Sequence, residues 1–223
     1  MTSLELVAFD LETTGFAVSD SVTVVGFALP MGVRVFCQTN GRAASGLEGT
    51  VRDRTDEHVQ VSTHESETAL LEAVGVFTAE RLYDDDALLV AFNGETWKAG
   101  FDLPFLRTRL SVTGVEWPFA ELPYADIMPL VTNRFNTTIN GDGESREDLV
   151  GVYEMLCDGG YGDLDPFEDS VEAVSAFEDA RFADLVMHNV ADVLRTRRLG
   201  LLAERYCSKS DFKLKSLTPT IDA

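Results

Sequence analysis

The chain has 223 residues, 38 acidic against 18 basic, and a formal net charge of -20. That length suits one α/β domain with a sizeable core, and carboxylates spread along the whole chain point to a hydrated acidic surface rather than a basic partner. Three distant cysteines, Cys37, Cys157 and Cys207, exclude a CxxC zinc site and a disulfide framework. No signal-like start and no apolar run near the roughly 20 residues that span a bilayer lead to the expectation of a cytoplasmic protein without a membrane partner.

The first element is the apolar run Leu4 to Phe9, broken only by Glu5 and stopped by Thr13, Thr14 and Gly15. It reads as a buried strand with Asp10 and Glu12 near its C-terminal end. Period-two alternation puts both carboxylates on one face, where they repel unless a divalent cation lies between them. A solvated strand end in an acidic protein is the alternative. Val22 to Leu29 and Val33 to Gln38 read as a hairpin through Pro30-Met31-Gly32, so three strands open the fold. Residues 39-63 are polar, rich in Gly, Asp and Arg, and read as a loop insertion.

Glu65 to Leu82 has helical periodicity, and Asp84-Asp85-Asp86 leads into a strand over Ala87 to Phe92. Asp102 to Val112 reads as a helix, with Asp102 in the place of an N-cap. Leu122 to Ala125, ending at Asp126, reads as the last strand, and Phe177 to Ala203 as a long helix. On that helix His188 and Asp192 share a face at i and i+4, either as a surface pair or as part of a site. Residues 206-223 read as a C-terminal tail, with a local basic patch at Lys209 to Lys215.

Strands, helix, strand, helix, strand, helix is the order of a ribonuclease H-like α/β fold with a mixed sheet. Three stretches in that order resemble the DEDD-type 3′–5′ exonucleases, especially the exonuclease domains of family B DNA polymerases, over roughly residues 3 to 200. They are Asp10-Leu11-Glu12-Thr13-Thr14-Gly15, then Asn93 with Phe101-Asp102-Leu103-Pro104-Phe105-Leu106-Arg107, and finally His188 with Asp192. The acidic composition is similar to that of proteins from salt-loving organisms.

The resemblance implies an exonuclease domain over residues 1-205 that hydrolyses single-stranded DNA or RNA from the 3′ end. It implies two Mg²⁺ or Mn²⁺ ions held by Asp10, Glu12, Asp102 and Asp192, with His188 accepting a proton from water. It also places Thr13, Thr14, Gly15, Phe16, Asn93 and Phe101 against the substrate. Trp97 is a further stacking candidate, and Lys98, Arg107, Arg109, Arg195, Arg197 and Arg198 are candidate phosphate contacts. The chain departs from the family in two places. His188 stands at the three-residue spacing that the family uses for Tyr, and Glu95 to Gly100 separate Asn93 from Asp102 as an insertion. A binding module that keeps the fold without the chemistry, or an acidic interaction protein with accidental motifs, would share parts of this pattern.

Overall fold

The computed structural model describes residues 4-83, 86-95, 101-139, 143-157, 159-169 and 171-221. Its centre is a mixed seven-stranded sheet in the order β4-β3-β2-β1-β5-β6-β7. The strands are β1 Glu5–Thr13, β2 Val22–Leu29, β3 Gly32–Gln38, β4 Val59–His64, β5 Ala87–Ala91, β6 Pro123–Asp126 and β7 Lys215–Ser216. β1 lies antiparallel to β2 and parallel to β5, so it is covered on both sides in the plane of the sheet. The α/β class and the three opening strands agree with the sequence.

Helices cover both faces of the sheet. Leu6 and Ala8 of β1 belong to the apolar cluster built on helix α7 (Phe182–Tyr206), whereas Val7, Phe9 and Leu11 belong to the cluster under α2 (Glu67–Phe77) and α3 (Asp102–Thr113). Burial on both faces is why β1 reads as a nearly continuous apolar run. The same alternation carries Asp10 and Glu12 onto the α7 face, in register with Gly26 and Val24 of β2.

Residues 39-63 are not a structureless insertion. They form α1 (Leu47–Arg52), which buries Leu47 and Val51, and then enter β4, which adds to β3 as a parallel edge strand from Val33↔Val59 to Gln38↔His64. Only Val59 of β4 is buried, so the strand has almost no apolar alternation to reveal it. The segment 206-223 is likewise no free tail within its described residues. Phe212 and Leu217 are buried, Lys215–Ser216 pairs with β6, and Trp117 Nε1 donates to the Leu217 carbonyl at 2.9 Å.

The expected helix from Glu65 to Leu82 begins at Glu67, capped by Ser66, and its last turn widens into a π-helix over Thr78–Leu82. The expected helix from Phe177 to Ala203 is two helices. A shorter one, α6 (Val171–Glu178), ends before Ala180, whose φ of 57° breaks the ladder, and α7 begins at Phe182. Arg42 Nη1 donates to the carbonyls of Phe177 and Glu178, satisfying the end of α6. Between β6 and α6 lie α4 (Ile127–Arg134) and α5 (Leu149–Leu156).

α7 approaches the sheet closely at Gly26. A Cβ there would stand 1.9 Å from Asn189 Oδ1 and 3.2 Å from Val193 Cγ1, so glycine in mid-strand is a packing requirement. Gly26→Ala is expected to cost on the order of 1–3 kcal/mol, as overpacking does. Urea unfolding measures this, and an unchanged midpoint and slope would contradict the close contact.

Candidate functional site

Asp10 and Glu12 leave β1 toward α7, which answers with His188, Asn189 and Asp192 on one face. Asn189 Nδ2 donates to Asp10 Oδ2 at 2.8 Å, tying helix to strand. His188 Nε2 lies 3.8 Å from Glu12 Oε1 and 3.8 Å from Asp192 Oδ2. One donor atom from each of Glu12, His188 and Asp192 falls within 4.8 Å of the others, an arrangement able to hold a metal ion. His188 and Asp192 are therefore an inward pair; the His188 side chain is 8% exposed.

Asp102 is the first residue of α3, not its cap: Phe101 occupies the N-cap position, and no side chain caps that helix end. Asp102 is buried, and its charge is felt by Asp10. A Cβ on Gly94 would stand 2.6 Å from Ala91 Cβ and 2.9 Å from the Tyr124 hydroxyl oxygen, so glycine is required there by the end of β5 and by Tyr124. Asp126 caps α4 through Met128 N–H at 3.1 Å and accepts from Asn93 N–H at 2.8 Å. It thereby holds Asn93 in a left-handed conformation, φ 62°.

Crowded carboxylates distort one another's titration. Burial, then the charges of Asp102, Glu12 and Asp192, hold Asp10 well above the usual carboxylate range. Burial and the neighbouring Glu12, Asp126 and Asp192 do the same to Asp102. Glu12 is pushed up to about 7, chiefly by burial, although His188 pulls it down. Asp192 is also raised by burial, against the opposing pull of His188 and Arg195. Burial alone would lower His188, but Glu12, Asp165 and Asp192 hold it up to about 10.

Asp165, Asn189 and the internal role of Arg195 are absent from the sequence reading. Asp165 Oδ1 lies 2.8 Å from His188 Nδ1, and its Oδ2 accepts from Arg195 Nη1 at 2.7 Å. The same Nη1 donates to Asp192 Oδ1 at 2.6 Å. Asp165 thus fixes the His188 ring so that Nε2 faces Glu12 and Asp192. Nothing distinguishes Asp165 among 38 acidic residues; for Asn189, the mid-strand Gly26 was the available signal.

A cavity of about 280 Å³ opens onto the carboxylates. Glu12, Thr13, Gly15, Phe16, Phe101 and Asp192 are among its lining residues. Phe16 is 73% exposed and packs edge-on against Phe101, with ring centroids 4.8 Å apart. The Thr14 hydroxyl instead accepts from Ser21 N–H and closes the turn, while that of Thr13 donates to the Gly15 carbonyl.

Several candidate phosphate contacts are engaged elsewhere. Arg109 forms a buried double hydrogen bond to Glu67, and Arg195 is buried against Asp165 and Asp192. Arg197 donates to the Leu6 carbonyl, and Arg107 lies over the Trp117 ring. Arg198 is exposed. Trp97, Lys98 and most of the Glu95 to Gly100 insertion lie outside the described residues. Among the described residues, no helix is long and apolar enough to cross a membrane. Compared with protein-family models and with curated proteins, the sequence gives no match.

A group whose folded pKa is raised stabilises the fold most below its unfolded value and loses that contribution as pH rises through the folded value. Here that loss spans 4.5 to about 7 for Glu12 and 6.5 to about 10 for His188. Metal-free protein is therefore expected to melt at a falling temperature from about pH 5 to about pH 9. Added Mn²⁺ should restore much of the loss at the upper end. Thermal scans with and without a chelator check both signs; a melting temperature that rises over this range would refute the charge balance.

Proposed function

We propose that the chain is a metal-dependent 3′–5′ exonuclease with a ribonuclease H-like fold, acting on the 3′ end of single-stranded nucleic acid. The observation that carries this reading is the convergence of Glu12, His188 and Asp192 within 4.8 Å, with Asp10 and Asp102 beside them. The strand order β3-β2-β1-β5-β6, with β2 the antiparallel member, supports the fold. The two outer strands extend that arrangement.

The residues present fit hard divalent cations. Buried carboxylates that raise one another's pKa are an oxygen-rich, negatively charged site suited to Mg²⁺ or Mn²⁺. Asp10, Glu12, Asp102 and Asp192 would hold the ions, with Asp10 central to the set. Bound there, they would supply water activation and stabilisation of the leaving 3′-oxygen.

The protein's own groups do the rest. Asp165 holds His188 through Nδ1, so Nε2 is presented to the space between Glu12 and Asp192. As water oxygen bonds to phosphorus and the bond to the 3′-oxygen breaks, Nε2 takes the water proton. The ring can do so only once cations offset the carboxylates that otherwise keep it charged. Phe16, exposed at the cavity mouth and backed by Phe101, offers a face for the terminal base.

One observation favours a second reading, a nucleic-acid-binding module without chemistry: Arg195 already places a positive charge on Asp192. Incubation at high salt with Mg²⁺ or Mn²⁺ and end-labelled single-stranded DNA or RNA separates the two. Stepwise shortening, abolished by Asp10→Ala, is expected, whereas binding without shortening under every metal condition supports the module. His188→Ala should slow hydrolysis about 100-fold or more while changing metal affinity less; a full rate in that variant would remove His188 from the mechanism. Asp165→Asn should lower kcat with little effect on KM, because it loosens the ring and not the cavity mouth.

A further inference from the structure

Lys98, Lys209, Lys213 and Lys215 are the only lysines in the chain, and three fall within seven residues. That segment folds against α4. A groove of about 320 Å³ lies there, with Arg134, Lys213 and Lys215 among its lining residues beside the carboxylates of Asp126 and Asp211. Arg134 pairs with Asp211 at 2.6 Å and Lys215 with Glu95. Among the described residues Lys209 and Lys213 form no ion pair, and both are exposed. Lys213 is presented from a left-handed turn, φ 47°.

The groove lies beside the carboxylate site. Ala8 of β1 is in register with Val90 of β5, and Val90 with Ala125 of β6. Asp10 and Asp126 therefore lie toward the same end of the sheet, on strands two spacings or about 10 Å apart. Asp126, which lines the groove, is close enough to Asp102 for its charge to be felt there, although the groove and the cavity at the carboxylates have no lining residue in common. In a protein of net charge -20, with Arg109 and Arg195 committed to internal pairs, the groove and its flank bring exposed cations close to the carboxylate site.

We infer that the groove between α4 and the C-terminal segment, through Arg134, Lys213 and Lys215 with Lys209 beside them, binds the phosphate backbone of the strand whose 3′ end enters the carboxylate site. This inference rests on the exonuclease reading for the identity of the strand. Its ligand is a single-stranded polynucleotide, held by charge and not by base identity. Lys209 to Lys215 is then the substrate track.

Fluorescence anisotropy with a labelled oligothymidylate 15-mer tests this, using Asp10→Ala as the parent so that the strand is not consumed. Adding Lys209→Glu/Lys213→Glu should weaken binding about tenfold or more and lower the slope of log affinity against log salt by about 1.4, roughly 0.7 per lost contact. Arg52→Glu/Arg54→Glu, an equal charge change beside β4 at the opposite edge of the sheet, should leave that slope unchanged. An unaltered slope in the lysine variant overturns the groove, as does an equal loss in both variants, since only net charge would then matter. Circular dichroism confirms that each variant is folded over the salt range used. The two readings fail separately: shortening by the unmodified protein with no lysine effect removes the groove alone, and groove binding without shortening removes the exonuclease alone.

Discussion

The contact between α7 and the centre of the sheet is the constraint on which the rest depends. Asn189 bonds to Asp10 above Gly26, and on either side of it α7 presents His188 and Asp192 to Glu12. A helix set even a little farther out would admit water, and the carboxylates would relax toward ordinary behaviour. Held in place, they remain near one another at low dielectric, which makes the site a poor place for anions and a good one for cations. The strand alternation that aims Asp10 and Glu12 also buries Leu6 and Ala8 beneath the same helix, so core packing and site geometry have one cause.

Three basic side chains make that geometry rigid. Arg109 clamps Glu67, whose other contact is the N–H of Val22 at the start of β2. Arg42 finishes α6 and stacks on Phe177 and Phe182. Arg195 joins the loop bearing Asp165 to α7. Truncating one member of such a buried pair leaves an unpartnered charge, which costs far more than an exposed pair would gain. An acidic surface and an interior framework tied by buried arginines thus coexist.

Where the sequence was legible, one strong periodicity dominated. β1, β2 and β3 are mostly apolar, and the carboxylates of β1 fell where alternation put them. β4 and β7 were invisible because each makes backbone pairs while leaving nearly all its side chains at least partly exposed, so tertiary pairing alone defines them. The break between α6 and α7 lies in Ala180 and in a guanidinium arriving from residue 42, a long-range cause that local pattern cannot carry. The same holds for Asp165, which joins the site across 23 residues of chain from His188. Asp102 was legible as a residue but not as a role, since an Asp at a helix start reads first as a cap, and only the structure puts Phe101 in that position and Asp102 one residue inside.

The two halves of the carboxylate cluster are not equivalent. Around Asp192 the protein supplies its own positive charge: Arg195 at 2.6 Å and His188 at 3.8 Å. Around Asp10 and Asp102 it supplies an amide from Asn189 and, instead of a cation, the further carboxylate of Asp126. Among the described residues no basic side chain pairs with Asp10 or Asp102. Both are pushed well above the carboxylate range, and for each the neighbouring charges all act in the same direction. The uncompensated charge is therefore concentrated between β1 and the start of α3, and it is there that the fold most needs cations from outside.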